Sequence, residues 1–241
     1  MKKTHLKSPC RSALSAFTLV EMLVVIAIIS ILMTIGSVGI SNIGGKGVTS
    51  GVASAEALFD EARSTAVGRN LRSAVLVAKE LGNNKADDLR RIIVAYEEAN
   101  PDGTAKEKDP NKAPNWVLSS RGVLLPEQTF FSSKFSKKKH PGGGNIDTIT
   151  HGQIVGAKAA MQGTWYIYEF NPQGIIKTEG ASFIIGTGAR QLSKPATGSN
   201  MPRVTGGAKR DFGGFVVWRN GRTSVFRSPD QMDIPSTITD F

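Results

Sequence analysis

From Phe17 to Ile40 the chain runs 24 residues with one charge, Glu21. As a helix rising about 1.5 Å per residue, that stretch reaches roughly 36 Å, enough to cross a hydrocarbon core about 30 Å thick. A carboxylate inside such a run is expensive, about 2.5–3.5 kcal/mol on insertion scales, and is a functional-site candidate for that reason. Residues 1–16 carry Lys2, Lys3, Lys7 and Arg11 and no acid. Basic residues ahead of an apolar helix hold that end in the cytoplasm, which puts the body on the far side of the inner membrane.

An ordinary secretion signal and a plain uncleaved anchor are competing readings of this segment. A secretion signal has an apolar core of about 7–15 residues ending at a small-residue cleavage site. Here the run is longer, and Ser12, Ala13, Ser15 and Ala16 precede it, although Gly36, Ser37 and Gly39 imitate a late site.

The stretch Ser15-Ala-Phe-Thr-Leu-Val-Glu21 resembles the processing and methylation site of type IV prepilins and pseudopilins. The resemblance implies that a prepilin peptidase and methylase cuts between Ala16 and Phe17 and methylates the new amine of Phe17. Glu21 becomes the fifth mature residue. Ala16 stands where the family usually has Gly, and alanine is the tolerated substitute. A buried carboxylate needs a partner, and in a filament of parallel helices the amine of an adjacent subunit supplies one, setting the axial register.

Removing residues 1–16 takes away four of the 30 basic residues and none of the 20 acidic ones, leaving a net charge of +6. Cys10, the lone cysteine, leaves as well, so the mature chain has no thiol and no disulfide. The remainder beyond the apolar run is long enough for one domain with its own core.

Residues 41–51, with Gly44, Gly45, Gly47 and Gly51, predict a break: a kink, local melting or a flexible linker. From Val52 to Asn70 the spacing turns helical, with Ala55, Leu58, Phe59, Ala62, Ala66 and Val67 on one apolar face. The rest reads as short strands: 72–78, 91–97, 116–119, 122–125, 129–132, 163–171, 175–178, 181–186, 214–219 and 223–227. Asn220-Gly221 is a strong hairpin signal. Irregular segments fall at 100–115, 132–145 and 192–209. The expected organisation is thus a cleaved leader (1–16), a helix ending in a Gly-rich break (17–51) and a periplasmic globular domain (52–241). The fold class is α+β: a long N-terminal transmembrane and assembly helix, then an antiparallel, β-sandwich-like sheet domain.

Three patches of the body, Ala57–Asn70 with the strand after it, Tyr166–Gly174 and Val216–Val225, resemble the minor pseudopilin branch called GspH/FimT. That resemblance implies a subunit of a type II secretion pseudopilus or a type IV pilus, supporting protein secretion. Its partners would be the prepilin peptidase, other pilins, an inner-membrane assembly platform and membrane lipid. The long loops at 100–115 and 132–160 make this body larger than usual for the branch.

The residues suggest no enzyme: there is no nucleophile elbow, no phosphate-cradling loop and no clustered metal ligands. No cofactor and no metal are expected, and His140 and His151 read as surface histidines. A second function is weighed against the first. Arg203, Lys209, Arg210, Arg219, Arg222 and Arg227 form a basic cluster that could neutralise DNA phosphates, and FimT-like proteins have been linked to DNA capture in natural transformation. Trp218 or Phe212 would add base stacking if exposed, but Trp218 lies in an apolar strand and reads as core.

Overall fold

Glycine lies about 1 kcal/mol below alanine in helix interiors, yet residues 43–51 of the glycine-rich segment are helical. The computed structural model describes residues 19–41, 43–107, 109, 112–119, 121–205 and 210–240, and only the backbone of those within 31–46. It divides into two units, Met1–Asn42 and Ile43–Phe241. The first holds α1 (Leu19–Ser41). The second opens with α2 (Ile43–Arg69), so the expected start of the amphipathic helix at Val52 falls nine residues late.

Packing is the physical reason. Gly47 and Gly51 are one turn apart on the same face of α2. A methyl group on Gly51 would stand 2.7 Å from Ile185 Cδ1 and 3.3 Å from Leu125 Cδ2, and one on Gly47 would stand 3.1 Å from Thr129 Oγ1. The missing side chains let the helix backbone lie close against the residues beneath. Gly51→Leu is therefore expected to lower stability by about 1–3 kcal/mol through overpacking, read as a shift of the urea midpoint. An unchanged midpoint would mean that the contact gives way freely.

Among the described residues twelve strands follow, and every pairing between them is antiparallel. They are β1 (Ser73–Leu81), β2 (Arg91–Glu97), β3 (Trp116–Leu118), β4 (Val123–Leu124), β5 (Thr129–Phe131) and β6 (Lys137–Lys139). Next come β7 (Gly143–Asn145), β8 (Thr148–Thr150), β9 (Gly163–Phe170), β10 (Ala181–Thr187), β11 (Phe212–Val217) and β12 (Thr223–Val225). One sheet runs β3-β2-β1-β9-β8, with β4 also paired to β2, and a second runs β12-β11-β10-β5. The third is the β6–β7 hairpin, which forms inside a segment expected to be irregular. Residues 175–178, expected as a strand, make only an isolated bridge from Ile176 to Phe170.

Both large sheets pack on α2. Phe59 stands at the centre. Its ring meets Tyr168 at 5.1 Å and Phe170 at 6.2 Å from the first sheet, and Phe183 at 5.7 Å and Phe215 at 5.0 Å from the second. The sheets also touch directly, with the Tyr168 hydroxyl donating to the Ser182 carbonyl at 2.8 Å. Burial holds that phenol well above its ordinary pKa. Ala55, Leu58, Ala62 and Ala66 are buried as their spacing predicts, whereas Val67, assigned to the same face, is 56% exposed.

The first sheet is covered on its other face too. Ala74, Leu76 and Ala78 of β1 pack there with Trp116, Ile149, Ile154 and Trp165. Burial on both faces explains why β1 is apolar without alternation. It also gives the 148–161 stretch a structural task, because Ile149 and Ile154 lie in that cover.

Candidate functional site: the N-terminal helix and the basic hairpin

Two regions carry the residues singled out by the sequence. In the first, α1 is helical for 23 residues, about 35 Å of rise. Every side chain described in it, Leu19 to Ser30, is exposed, with Leu19 at 82%. The exposed apolar residues recur too closely to leave a polar stripe, since Leu23, Val24, Val25 and Ile26 follow one another. A helix that is apolar all round is stable only when covered by lipid or by other helices. The Ser30 hydroxyl is turned back onto the Ile26 carbonyl at 2.7 Å, the usual way to satisfy a hydroxyl in an apolar helix. Glu21 sits in the first turn, where the helix dipole favours a negative charge. Ala16 and Phe17 lie outside the described residues. Over the residues described with their side chains, which in α1 are 19–30, no helix is long and apolar enough to cross a membrane.

In the second region, β11 and β12 form the hairpin that Asn220-Gly221 predicts, closed by Gly221 N–H to Trp218 O and Trp218 N–H to Arg222 O, both 2.8 Å. Gly221 adopts φ +74°, and a Cβ there would stand 2.6 Å from the Gly174 carbonyl. The turn therefore nests against the Asn171–Gly174 turn and Arg63 of α2. This arrangement divides the expected basic cluster. Arg219 and Arg222 lie at the turn, while Arg210 and Arg227 lie at the opposite end, where the Phe226 N–H reaches the Gly214 carbonyl at 2.9 Å. Six residues of strand at about 3.3 Å each keep the two ends roughly 20 Å apart.

The side chains differ in what they are free to do. Arg210 is ion-paired to Asp230, and it also donates to the Ile234 carbonyl at 3.3 Å. Arg203 lies in a separate loop, its backbone bridged to Ala189 and Asp240. Lys209 lies outside the described residues. Trp218, read from sequence as core, is 49% exposed, and its indole N–H donates to the Ser224 hydroxyl at 2.7 Å. The strand's apolar run misled because Val217 is its last buried residue. Phe212 is buried and offers no stacking surface.

Two features escaped sequence reading. Arg72 and Glu97 form a buried two-pronged ion pair, Nη2 to Oε1 at 2.8 Å and Nε to Oε2 at 3.1 Å, at 9% and 2% side-chain exposure. The hydrogen bond that Arg72 donates to Glu97 raises the Arg72 pKa against the opposing effect of burial. Asp88, fully buried, accepts from the amides of Leu81 at 2.7 Å and Ala196 at 3.0 Å, and burial raises its pKa. Neither Arg72 nor Asp88 belongs to a periodic pattern, so their sequence context carried no signal.

A cleft of about 650 Å³ is lined by charges of both signs, Arg72, Lys177 and Arg219 with Glu169 and Glu179, and within it Lys177 pairs with Glu169 at 2.8 Å. His140, expected on the surface, shares a 2.7 Å hydrogen bond with the Gln231 carbonyl and packs edge-on to Phe226, while His151 is exposed. Among the described residues, no group of three or more His, Cys, Asp or Glu is placed to hold a metal ion.

Residues 12–37 match the family model described as the prokaryotic N-terminal methylation motif. The match brackets Ala16, Phe17 and Glu21 and supports a type IV prepilin-like protein, processed by prepilin peptidase and associated with the membrane and with other pilins. That motif marks structural subunits rather than catalysts. No curated protein matches the chain, and no solved structure does either.

Proposed function

We propose that the chain is a minor pseudopilin or pilin subunit, of the GspH/FimT branch, that assembles into a type II secretion pseudopilus or a type IV pilus and supports protein secretion. In this reading the leader 1–16 is removed and Phe17 is methylated. The helix that follows spans the inner membrane, with its N-terminus cytoplasmic and the body periplasmic. Beyond prepilin peptidase and other pilins, the partners are the inner-membrane assembly platform and lipid. One observation carries the reading: a methylation motif runs into a long apolar helix with Glu21 as the acid of its first turn. The minor-subunit assignment draws on three body patches, which fall at the end of α2, at β9 with its turn, and at the β11–β12 hairpin.

Mass spectrometry of the purified chain is expected to find methylated Phe17 as the first residue. Glu21→Ala is expected to abolish recovery of the subunit in sheared filaments while leaving the cleavage intact. An N-terminus elsewhere, or undiminished recovery, would overturn the assignment.

A second reading, a DNA-binding minor pilin for natural transformation, draws on the half-exposed Trp218 beside Arg219 and Arg222 at the hairpin turn. An aromatic platform with adjacent cations is how single strands are held without sequence preference. Failure of the full chain in detergent to shift DNA at about 50 mM salt, where phosphate contacts are strongest, removes this reading.

A further inference from the structure

Residues 189–203 form a lasso. Its ends are tied by paired backbone hydrogen bonds between Ala189 and Arg203, both 2.9 Å. Inside, the Asn200 amide donates to the carbonyls of Gln191, Lys194 and Pro195 at 2.9–3.1 Å and accepts from Gln191 N–H at 3.0 Å. Arg190 fastens the lasso to the domain, donating to the carbonyls of Lys85 and Asp88 and, at 2.9 Å, of Lys194. These internal bonds preorganise whatever the loop presents.

It presents positive charge. A cleft of about 470 Å³ is lined by Arg190, Lys194 and Arg203 and by no carboxylate. Among the described residues, neither the Lys194 ammonium nor the Arg203 guanidinium has an ion pair or side-chain hydrogen bond. The acid of the adjoining cleft, Asp240, faces Lys134 Nζ at 3.4 Å. Arg190 Nε is buried without a hydrogen-bond partner, and Arg90 adds like charge beside it. Asp88 offsets part of this, but its carboxylate oxygens are occupied by the amides of Leu81 and Ala196.

We propose that the cleft framed by Arg190, Lys194 and Arg203 binds a phosphate-class oxyanion. The Arg203 guanidinium matches the geometry of such an anion and the Lys194 ammonium adds a point charge, while Arg190, whose terminal N–H groups are spent on the carbonyls of Gln191, Lys194, Lys85 and Asp88, contributes its charge alone. The phosphate is either a free ion or the headgroup of a phospholipid, and the two share this chemistry. The site does not depend on how the subunit assembles.

The test is calorimetric titration of the full chain in a neutral detergent at constant ionic strength. One arm uses inorganic phosphate and the other glycerophosphoglycerol, the deacylated headgroup of phosphatidylglycerol. Saturable one-to-one binding is expected in at least one arm, and that arm names the source. Lys194→Gln and Arg203→Gln, both outside the core, should each weaken it by about tenfold or more, the usual effect of losing one hydrogen bond to a charged group. Lys106→Gln, in the 100–115 loop beside Glu98 at the other end of β2, should leave it unchanged. Saturation in neither arm overturns the proposal. So does retained affinity in both loop variants, or an equal loss in Lys106→Gln, which would make the effect one of net charge. Thermal unfolding of each variant identifies any loss due to misfolding, and a phosphate-dependent rise in the unfolding temperature of the unaltered chain gives a second readout.

Discussion

Phe59→Ala is expected to destabilise the body by about 3–5 kcal/mol, the range for removing a fully buried aromatic ring. Single domains have only about 5–15 kcal/mol of stability in total, so this one change takes a large share. The ring is fully buried and meets four others, with interplanar angles of 67–85°. Edge-on aromatic contacts add about 0.5–1.5 kcal/mol each beyond burial. Two of the four rings come from each sheet, so the cavity would open at the junction of three elements and could not close by shifting one of them. Urea unfolding of the full chain in detergent, followed by near-ultraviolet circular dichroism, reads the loss. Phe59→Leu, which keeps most of the volume, should lose less than half as much. A loss below about 1 kcal/mol for the alanine variant would show that the core collapses around the gap.

Glu97→Ala should rank second, at about 3–5 kcal/mol, because it strands a buried cation. Glu97 accepts from Arg72 Nε, Nη2 and backbone N–H, so its loss leaves all three donors without their carboxylate. Ties that would remain for Arg72 include Nη1 to the Lys112 carbonyl at 2.8 Å and Glu169 at 3.9 Å. The informative comparison is the double variant Arg72→Met, Glu97→Leu. A buried pair is often no better than apolar residues of similar volume, so the double variant should recover much of the loss, less the penalty for the freed Arg72 amide and Lys112 carbonyl. A double variant as unstable as Glu97→Ala would assign the effect to those backbone groups.

The hairpin and most strands were legible because their signals are local. Arg91–Glu97 occupies its expected range, and the other expected strands, 175–178 excepted, lie within a few residues of theirs. Where reading failed, tertiary contact had overridden local preference. Gly47 and Gly51 have poor helix propensity and are helical all the same because they fit against Thr129 and Ile185, about 80 and 130 residues away in sequence. Trp218 was read as core from its apolar neighbours, but the strand ends one residue before it. The six basic positions look clustered along the chain, yet a hairpin places its two ends far from its turn. Sequence proximity cannot report that separation. The assembly segment was the most legible part of all, because an acid at one position of an apolar run is a pattern that needs no fold to interpret.

The grip of two sheets on one helix has a mechanical consequence. From Val48 to Ala66, α2 is buried against strands of both sheets, and β11 runs alongside it, with Gly213 beside Val48 and Val52 and Gly221 beside Arg63. Tension applied at Ile43 would therefore load these contacts in shear, many at once, rather than peel them one by one. Sheets that grip α2 in this way resist its extraction along its own axis far better than they resist a sideways pry.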